Sequence, residues 1–182
     1  MKIYEQSISG VFIIEPEPFV DDRGIFRRHF CEKEFTMAGI TPEIQQCNVS
    51  ENLNAYTLRG FHYQLPPHAE SKTLTCFRGK MYDIVVDLRV ESPTYLKWIG
   101  IELTSDNRKS LHVPAGCANA FLTLEDDTLI YYFCSRSYKP ELELGIRYND
   151  PSFKFIWPAE PKFISTKDMN HPDYKPSDTK AK

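Results

Sequence analysis

The 182-residue sequence predicts an all-β protein whose strands form a sandwich or barrel, with the jelly roll as the favoured arrangement. Short runs rich in β-branched and aromatic residues recur along the chain, and Pro, Gly, Asp, Asn and Ser separate them. Only one segment has a helical pattern. Because the length suffices for one core but not for two, we expect a single domain over residues 1–182.

Nine segments have the composition of strands. In chain order they are GVFII, TLRGFHYQ, KTLTCFRG, MYDIVVDLRV, LKWIGIEL, SLHVP, CANAFLTL, TLIYYFCS and LGIRYND. MYDIVVDLRV alternates most clearly, with Ile84 and Val86 on one face and two carboxylates, Asp83 and Asp87, on the other. This alternation predicts a sheet with two unlike faces.

The single helix is expected over CEKEFTMAGI, from Cys31 to Ile40, with Gly39 near its end. The rest of the chain is left to strands and their connections. From about residue 170 the sequence is polar and contains prolines, so we expect a tail that is disordered or ordered only against another surface.

The composition argues against several functional classes. No apolar run has the length needed to cross a bilayer, and MKIYEQSISG lacks the apolar stretch of a signal peptide, so we expect no membrane association and a cytoplasmic location. A net charge of -3 without a basic block argues against nucleic acid as a partner. The cysteines form no C-x-x-C pair, which indicates free thiols in a reducing compartment.

The run LRGFHYQ carries the first candidate site, although a histidine in a strand is more often structural than catalytic. In a regular strand Arg59 and His62 would point to opposite faces. Gly60 between them indicates a β-bulge, which would bring both side chains to one side. If the connection that follows is a hairpin centred on Pro67, His62 faces Lys72 across the ladder and a base lies beside a cation.

Other segments offer ligand-binding groups, each with a structural alternative. DDRGIF supplies Arg23 and Phe26 around a turn glycine, as a solvated surface turn also would. QQCNVS places Gln46 and Asn48 on one face of a strand, where their amides could form hydrogen bonds with a base or a sugar or could face solvent. One of the two tyrosines of IYYFC must point inward, and core packing is the simpler explanation for it.

The sequence predicts no metal site and no organic cofactor. A barrel that binds a metal through histidines needs an H-x-H pair and a following carboxylate, whereas this chain has HYQ, with His68 in a loop and His112 distant in the sequence. The motifs of α/β-hydrolases, dinucleotide-binding folds and P-loop proteins are also missing.

Together these segments resemble the dTDP-4-dehydrorhamnose 3,5-epimerases. The resemblance runs from about residue 11 to residue 168, and the matching motifs are DDRGIFRRHF, QCNVS, LRGFHYQ, ESKTL, VVDLRVESPTYLKW, VPAGCANAF, YNDPSFKFIWP and ISTKD. The resemblance implies a cupin-type jelly-roll barrel with one or a few short helices, and a homodimer with sites partly shared between chains. It further implies a cofactor-free isomerase that inverts carbon 3, carbon 5 or both in a nucleotide-linked 4-keto-6-deoxyhexose, in deoxysugar or surface polysaccharide synthesis.

The resemblance also implies roles for the candidate residues. His62 would remove the proton beside the ketone, with Asp168 as its carboxylate partner, while Lys72 stabilises the enolate oxygen and Tyr132 returns a proton from the opposite face. The chemistry agrees, because a carbon acid ionises only if the charge on the carbonyl oxygen is stabilised. The residues expected to bind nucleotide and substrate are Arg23, Phe26, Arg28, Gln46, Asn48, Arg59 and Asn119.

Two departures from the family pattern bear on function. GCANAF stands where GFAHGF is usual, so Asn119 replaces a histidine and can donate a hydrogen bond but cannot titrate, which favours inversion at a single centre. Arg28 replaces the glutamate usual in RGxFxE. An arginine donates hydrogen bonds where a glutamate accepts them, so a base contact from Arg28 would favour cytosine over thymine. Arg28 has no such effect if its side chain points to solvent. The alternatives are a single-centre epimerase of a CDP-linked sugar, a ketoisomerase on the same scaffold, and a non-catalytic sugar-nucleotide binder.

Overall fold

The computed structural model describes residues 1–176, which are mostly strands with two short helices and one 3-10 turn. The helices are α1 (Glu32–Met37) and α2 (Thr166–Met169), and the 3-10 turn covers Pro140–Leu142. The strands are β1 (Lys2–Glu5), β2 (Phe12–Glu15), β3 (Phe19–Asp21), β4 (Gly24–Phe26), β5 (Gln46–Asn52), β6 (Thr57–Gln64), β7 (Lys72–Arg78), β8 (Lys80–Asp87), β9 (Trp98–Thr104), β10 (Ser110–Val113), β11 (Cys117–Thr123), β12 (Thr128–Cys134), β13 (Glu143–Gly145) and β14 (Phe163–Ile164).

Two six-stranded sheets pack face to face and confirm the predicted jelly-roll class. The first has the order β1-β2-β10-β7-β12-β5, and the second has the order β13-β6-β11-β8-β9, with β14 pairing to β6. Leu74 and Ile130 from the first sheet share one buried cluster with Val85 and Phe121 from the second. The main core therefore lies between the sheets. A separate two-stranded ribbon, β3–β4, stands apart from both.

All nine predicted strand segments contain a strand, and the helix forms where expected but is shorter. Helix α1 ends before Gly39, which adopts a φ of 78° in the left-handed region that terminates helices. Its Phe35 packs with Ile14 and Phe133 on the outer side of the first sheet. Strands β1, β3, β4 and β14 and helix α2 are additions, because such short elements leave little periodicity in a sequence.

The alternation along β8 is present, but both of its faces are buried. Ile84 and Val86 pack beneath Phe153 from the C-terminal segment. Asp83 lies on the opposite face, which points to the interior between the sheets, and is 0% exposed. A carboxylate that the sequence would place at a polar surface is therefore inside the protein.

The expected hairpin between β6 and β7 is wrong. Strand β6 belongs to the second sheet and β7 to the first, so the intervening connection crosses between sheets rather than closing a ladder. The Cα partners of His62 are instead Asn119 on β11 and Gly145 on β13. Lys72 still reaches His62, because the two strands face each other across the interior.

The bulge predicted at Gly60 is confirmed. Arg59 pairs with Phe121 and His62 with Asn119, so two residues of β6 oppose one residue of β11. Gly60 has a φ of 107°, and a Cβ there would lie 2.6 Å from the carbonyl oxygen of Asn119. Only glycine fits this close approach, and the extra residue turns Arg59 and His62 toward the same cavity.

The predicted tail is ordered against the body as far as residue 176, and residues 177–182 lie outside the described part of the chain. Tyr174 is 8% exposed and packs against the ring of Phe153. Its backbone N–H donates to the Asp150 carboxylate at 2.7 Å. Within residues 1–176, no helix is long and apolar enough to cross a membrane.

Candidate active site

A cavity of about 1060 Å³ lies between the two sheets and is lined by both. Strands β5, β7 and β12 supply one wall, and strands β6 and β11 supply the other. The cavity gathers eight of the residues singled out from the sequence. They are Gln46, Asn48, Arg59, His62, Lys72, Asn119, Tyr132 and Asp168.

His62 and Asp168 form a hydrogen-bonded pair although they are far apart in the sequence. The Nε2 atom of His62 lies 2.7 Å from Oδ1 of Asp168, whose side chain is 5% exposed. Ser165 is the N-cap of α2 and accepts from the Asp168 N–H, which fixes the carboxylate at the helix start. The backbone N–H of Gly60 donates to its second oxygen at 3.3 Å.

These contacts keep Asp168 ionised. Burial alone would raise the pKa of its carboxyl, but the hydrogen bond and charge of His62 and the bonds from Gly60 and Ser165 together lower that pKa below its usual value. An ionised Asp168 accepts from Nε2–H of His62. The ring lone pair then lies on Nδ1, which is the nitrogen able to take a proton from a ligand.

Lys72 places a cation next to this pair. Its Nζ donates to the carbonyl oxygen of His62 at 2.9 Å and to Oδ1 of Asn119 at 3.4 Å, and it lies 3.3 Å from the Glu70 carboxylate. The Lys72 side chain is only 14% exposed. A positive charge so shielded from water can stabilise a negative oxygen in the cavity.

Tyr132 reaches the cavity from the opposite sheet. It lies on β12, while its neighbour Tyr131 points outward and stacks on Phe77 with ring centroids 5.6 Å apart. Burial, with a smaller contribution from Cys134, raises the pKa of Tyr132 above its usual value. The hydroxyl therefore keeps its proton near neutral pH and faces a cavity whose other wall holds His62.

Asn119 is held by a fully buried carboxyl. Its Nδ2 donates to Oδ2 of Asp83 at 3.0 Å, and its Oδ1 is turned toward Lys72. Burial raises the pKa of Asp83 to about 8, although Asn119 and Lys72 both act against that rise. The Asn119 amide is thereby fixed at the cavity wall next to His62.

Gln46, Asn48 and Arg59 form a polar region of the same cavity. Gln46 and Asn48 alternate along β5 with their side chains inward, as the sequence predicts. The Nε atom of Arg59 donates to Asn52 at 2.9 Å, which leaves the terminal guanidinium nitrogens for a ligand. Gln46 accepts from the backbone N–H of Tyr138.

Three predicted binding residues do not reach this cavity in one chain. Arg23 and Phe26 lie on the β3–β4 ribbon and Arg28 follows it, and all three are exposed. The Arg23 side chain is 90% exposed and pairs with Asp21 at 2.6 Å. The ribbon carries these groups away from the cavity of its own chain.

Sequence reasoning missed several residues of the site. Glu143 accepts from the Tyr138 hydroxyl at 2.8 Å and from Lys167, and its Oε1 lies 4.0 Å from Nδ1 of His62. His171 lies behind the pair, with Nε2 3.9 Å from Oδ1 of Asp168. Burial and the nearby His62 lower the pKa of His171. The spacing of Asp168 and His171, three residues apart around a short helix, was a usable signal.

Comparison with known proteins places this arrangement in a family. A sequence profile described as dTDP-4-dehydrorhamnose 3,5-epimerase matches residues 5–176. A protein of that name from Sinorhizobium fredii is 40% identical over 167 residues, covering 91% of this chain and 86% of its own. Another from Shigella flexneri is 37% identical over 171 residues, covering 93% of this chain and 94% of its own.

A solved structure shows the same fold with ligands bound. The dTDP-4-dehydrorhamnose 3,5-epimerase of Bacillus anthracis, with TDP and PPi bound, superposes with a TM-score of 0.90 at 36% identity, covering 94% of this chain and 98% of its own. Both the sequence match and the fold extend over nearly the whole chain. The chain belongs to the dTDP-4-dehydrorhamnose 3,5-epimerase family.

Proposed function

We propose that this protein is an epimerase of a thymidine-diphosphate-linked 4-keto-6-deoxyhexose in deoxysugar biosynthesis, inverting carbon 3, carbon 5 or both. The observation that carries the proposal is a buried His62–Asp168 pair and the protonated Tyr132 on opposite walls of one cavity that also holds Lys72. Inversion at carbon needs a base on one side of the sugar and an acid on the other. The two sheets supply one each.

The proposed reaction proceeds through an enolate. Nδ1 of His62 removes a proton from the carbon beside the ketone. The electron pair of the broken C–H bond moves toward the carbonyl, and Lys72 stabilises the negative charge that forms on the carbonyl oxygen. Ionised Asp168 supports the imidazolium that forms. Tyr132 then donates its proton to the opposite face of the same carbon, which completes the inversion. Substrate and product have the same oxidation level, so the chemistry requires no electron acceptor.

Arg59, Gln46 and Asn48 are proposed to bind the nucleotide diphosphate. A planar guanidinium suits a phosphate, and the two amides can pair with base or sugar edges. The structure from Bacillus anthracis contains TDP, which supports thymidine as the nucleoside. The alternatives raised by Arg28 and Asn119, a CDP-linked sugar, a ketoisomerase and a non-catalytic binder, gain no support from the relatives.

We further propose a homodimer in which the ribbon of one chain completes the cavity of its partner. Phe19, Val20 and Phe26 of the ribbon are 75%, 70% and 69% exposed, an apolar surface that a single chain leaves in water. Arg23 on the same ribbon would add a cation for the diphosphate. The five unpaired cysteines support a reducing location such as the cytoplasm.

The ribbon proposal predicts that Arg23→Ala raises KM about tenfold or more while changing kcat little, because a charge-assisted contact to phosphate contributes to binding rather than to the chemical step. Steady-state kinetics would measure the two constants. Lys33→Ala, on the exposed side of α1, is a matched loss of one surface cation and should leave KM unchanged. An Arg23→Ala enzyme with unchanged KM would refute the role of the ribbon.

The function is tested by incubating the protein with a dTDP-4-keto-6-deoxyglucose in deuterium oxide and following the protons at carbons 3 and 5 by NMR. Deuterium should enter one or both positions, and His62→Ala should abolish that exchange while nucleotide binding persists. Movement of the carbonyl would instead identify a ketoisomerase. Binding without any exchange would identify a non-catalytic binder.

A further inference from the structure

A histidine that the proposed reaction does not use lies behind the catalytic pair. His171 follows Asp168 by three residues, just beyond α2, and its ring centroid lies 6.3 Å from that of His62. Its side chain is 13% exposed, and its Nε2 has no hydrogen-bond partner within residues 1–176. A buried imidazole nitrogen left without a partner is costly unless it has a ligand.

We propose that His62, Asp168 and His171 form a Zn²⁺ site, and that zinc bound there inhibits the enzyme by occupying the nitrogen through which Asp168 holds the base. One donor atom from each residue lies within 4.8 Å of the other two. Three ligands of a tetrahedral zinc ion lie about 3.3 Å apart. The donor-atom separations in the structure, 2.7 Å for His62–Asp168 and 3.9 Å for His171–Asp168, fall on either side of that value.

The chemistry of the donor set selects zinc over alkaline-earth ions. Two imidazoles and one carboxylate, with a fourth position open to water, are a common zinc set, whereas Mg²⁺ and Ca²⁺ prefer oxygen ligands. Glu143, 10% exposed, adds negative charge near His62, and this carboxylate also pairs with Lys167. The His62 side chain is 32% exposed and lines the cavity, so an ion can enter through the cavity.

The backbone fixes each of the three ligands. His62 is held on β6 between two neighbouring strands, and Asp168 is held at the start of α2 by the Ser165 cap. Gly145, the Cα partner of His62 on β13, leaves room for the third ligand, because a Cβ there would lie 2.1 Å from Nε2 of His171. The backbone therefore holds the three ligands close together, and side-chain rotation has to bring their donor atoms to zinc-binding distances.

The inhibitory effect follows from the tautomer of His62 and rests on the proposed function. In the metal-free pair, Nε2 carries the ring hydrogen and Nδ1 carries the lone pair. Zinc bonds to the Nε2 lone pair, so the hydrogen on Nε2 is released to solvent and Nδ1 takes one up, with no net change in protons. Protonated Nδ1 cannot accept the substrate proton.

Zinc binding is tested first, without reference to activity. Full-length protein carrying Cys47→Ser, which removes the exposed thiol, is titrated with Zn²⁺ in competition with a chromophoric chelator. His171→Gln should weaken binding about 100-fold or more, and Gly145→Ala, which displaces His171 but keeps all three ligands, about tenfold. His68→Gln, a histidine in the loop between β6 and β7, is the matched control and should bind like the parent. Absent zinc binding, or binding that His171→Gln leaves unchanged, would overturn the site.

Inhibition is then measured as the ratio of deuterium exchange with and without Zn²⁺ within each variant. The ratio should fall in the parent and in His68→Gln, recover when the chelator is added, and stay near one in His171→Gln. Zinc binding that depends on His171 but leaves exchange unaffected would overturn the inhibitory role. If no variant exchanges deuterium even without zinc, the proposed function fails, while the binding titration still decides the site.

Discussion

Two residues on the neighbouring strands β6 and β11 are each hydrogen-bonded to a buried carboxyl group, but the two carboxyl groups differ in charge. In one pair, His62 is bonded to the buried carboxylate of Asp168; in the other, Asn119, the Cα partner of His62, donates to the buried carboxyl of Asp83. Burial acts to raise the pKa of both carboxyls. It is overcome at Asp168, whose pKa is lowered, but not at Asp83, whose pKa is about 8.

The difference indicates that a buried carboxyl stays ionised where hydrogen-bond donors and a nearby positive charge offset its burial. The Asp168 carboxylate accepts from His62 and from the backbone N–H of Gly60. Asp83 receives one from Asn119, and its Oδ1 has no partner among residues 1–176. An ionised carboxylate beside a histidine can support proton abstraction. A largely neutral carboxyl beside an asparagine can only hold a donor in place.

The largest expected effect distinguishes the two carboxyls directly. Asp168→Asn should lower kcat for deuterium exchange about 10²–10⁴-fold, because His62 loses the charge that supports its imidazolium. The matched change Asp83→Asn should lower it less than about tenfold, because Asp83 is already largely neutral near pH 7. Equal losses in the two variants would show that both pairs take part in proton transfer.

Asn119→His should convert the second pair into a copy of the first. A histidine at this position can titrate and can bond to Asp83, so exchange should rise about tenfold or more at whichever of carbons 3 and 5 exchanges more slowly in the parent. NMR in deuterium oxide resolves the two carbons separately. Asn119→Gln keeps an amide and serves as the control. If the histidine variant exchanges no faster at either carbon, the amide of Asn119 does not limit exchange at carbon 3 or carbon 5.

The third effect concerns stability rather than rate. The pKa of Asp83 is raised from 3.8 to about 8 on folding, so its contribution is fully present below pH 3.8 and is lost as the pH rises toward 8. Between these values the native state binds the proton that the unfolded state has released. The Tm of the parent, compared with that of Asp83→Asn at the same pH, should therefore fall as the pH rises from 3.8 to about 8. Thermal unfolding of both proteins at several pH values would show parallel curves if Asp83 were ionised in the folded state.

Local features of the site were predictable because they depend on neighbouring residues. A glycine between Arg59 and His62 indicated the bulge, and alternation along β5 indicated that Gln46 and Asn48 share a face. The link between β6 and β7 was misassigned, because a connection of this length fits a hairpin and a crossover between sheets equally well. Which sheet a strand joins depends on distant partners that local pattern does not report.

The residues that sequence reasoning missed have no distinctive local pattern, and their roles depend on where tertiary packing places them. Asp83 alternates with apolar residues as any surface carboxylate of a strand would, and only the packing of two sheets puts it inside. Glu143 lies on a three-residue strand whose position next to His62 depends on pairing with β6. Arg23 and Phe26 were singled out from the turn in DDRGIF and given a binding role by family resemblance, yet a single chain leaves them in solvent.

The pairing of His62 with Asp168 also sets when, during synthesis, the protein can become active. All strands of the two main sheets except β14 precede residue 146, so the strands that form the barrel are synthesised before the segment that carries Asp168. The base has no carboxylate partner until residue 168 emerges and α2 docks beside β6. A chain that ends before residue 168 would contain nearly all strands of the two sheets but would lack the carboxylate, so we expect only chains that extend past residue 168 to turn over the sugar.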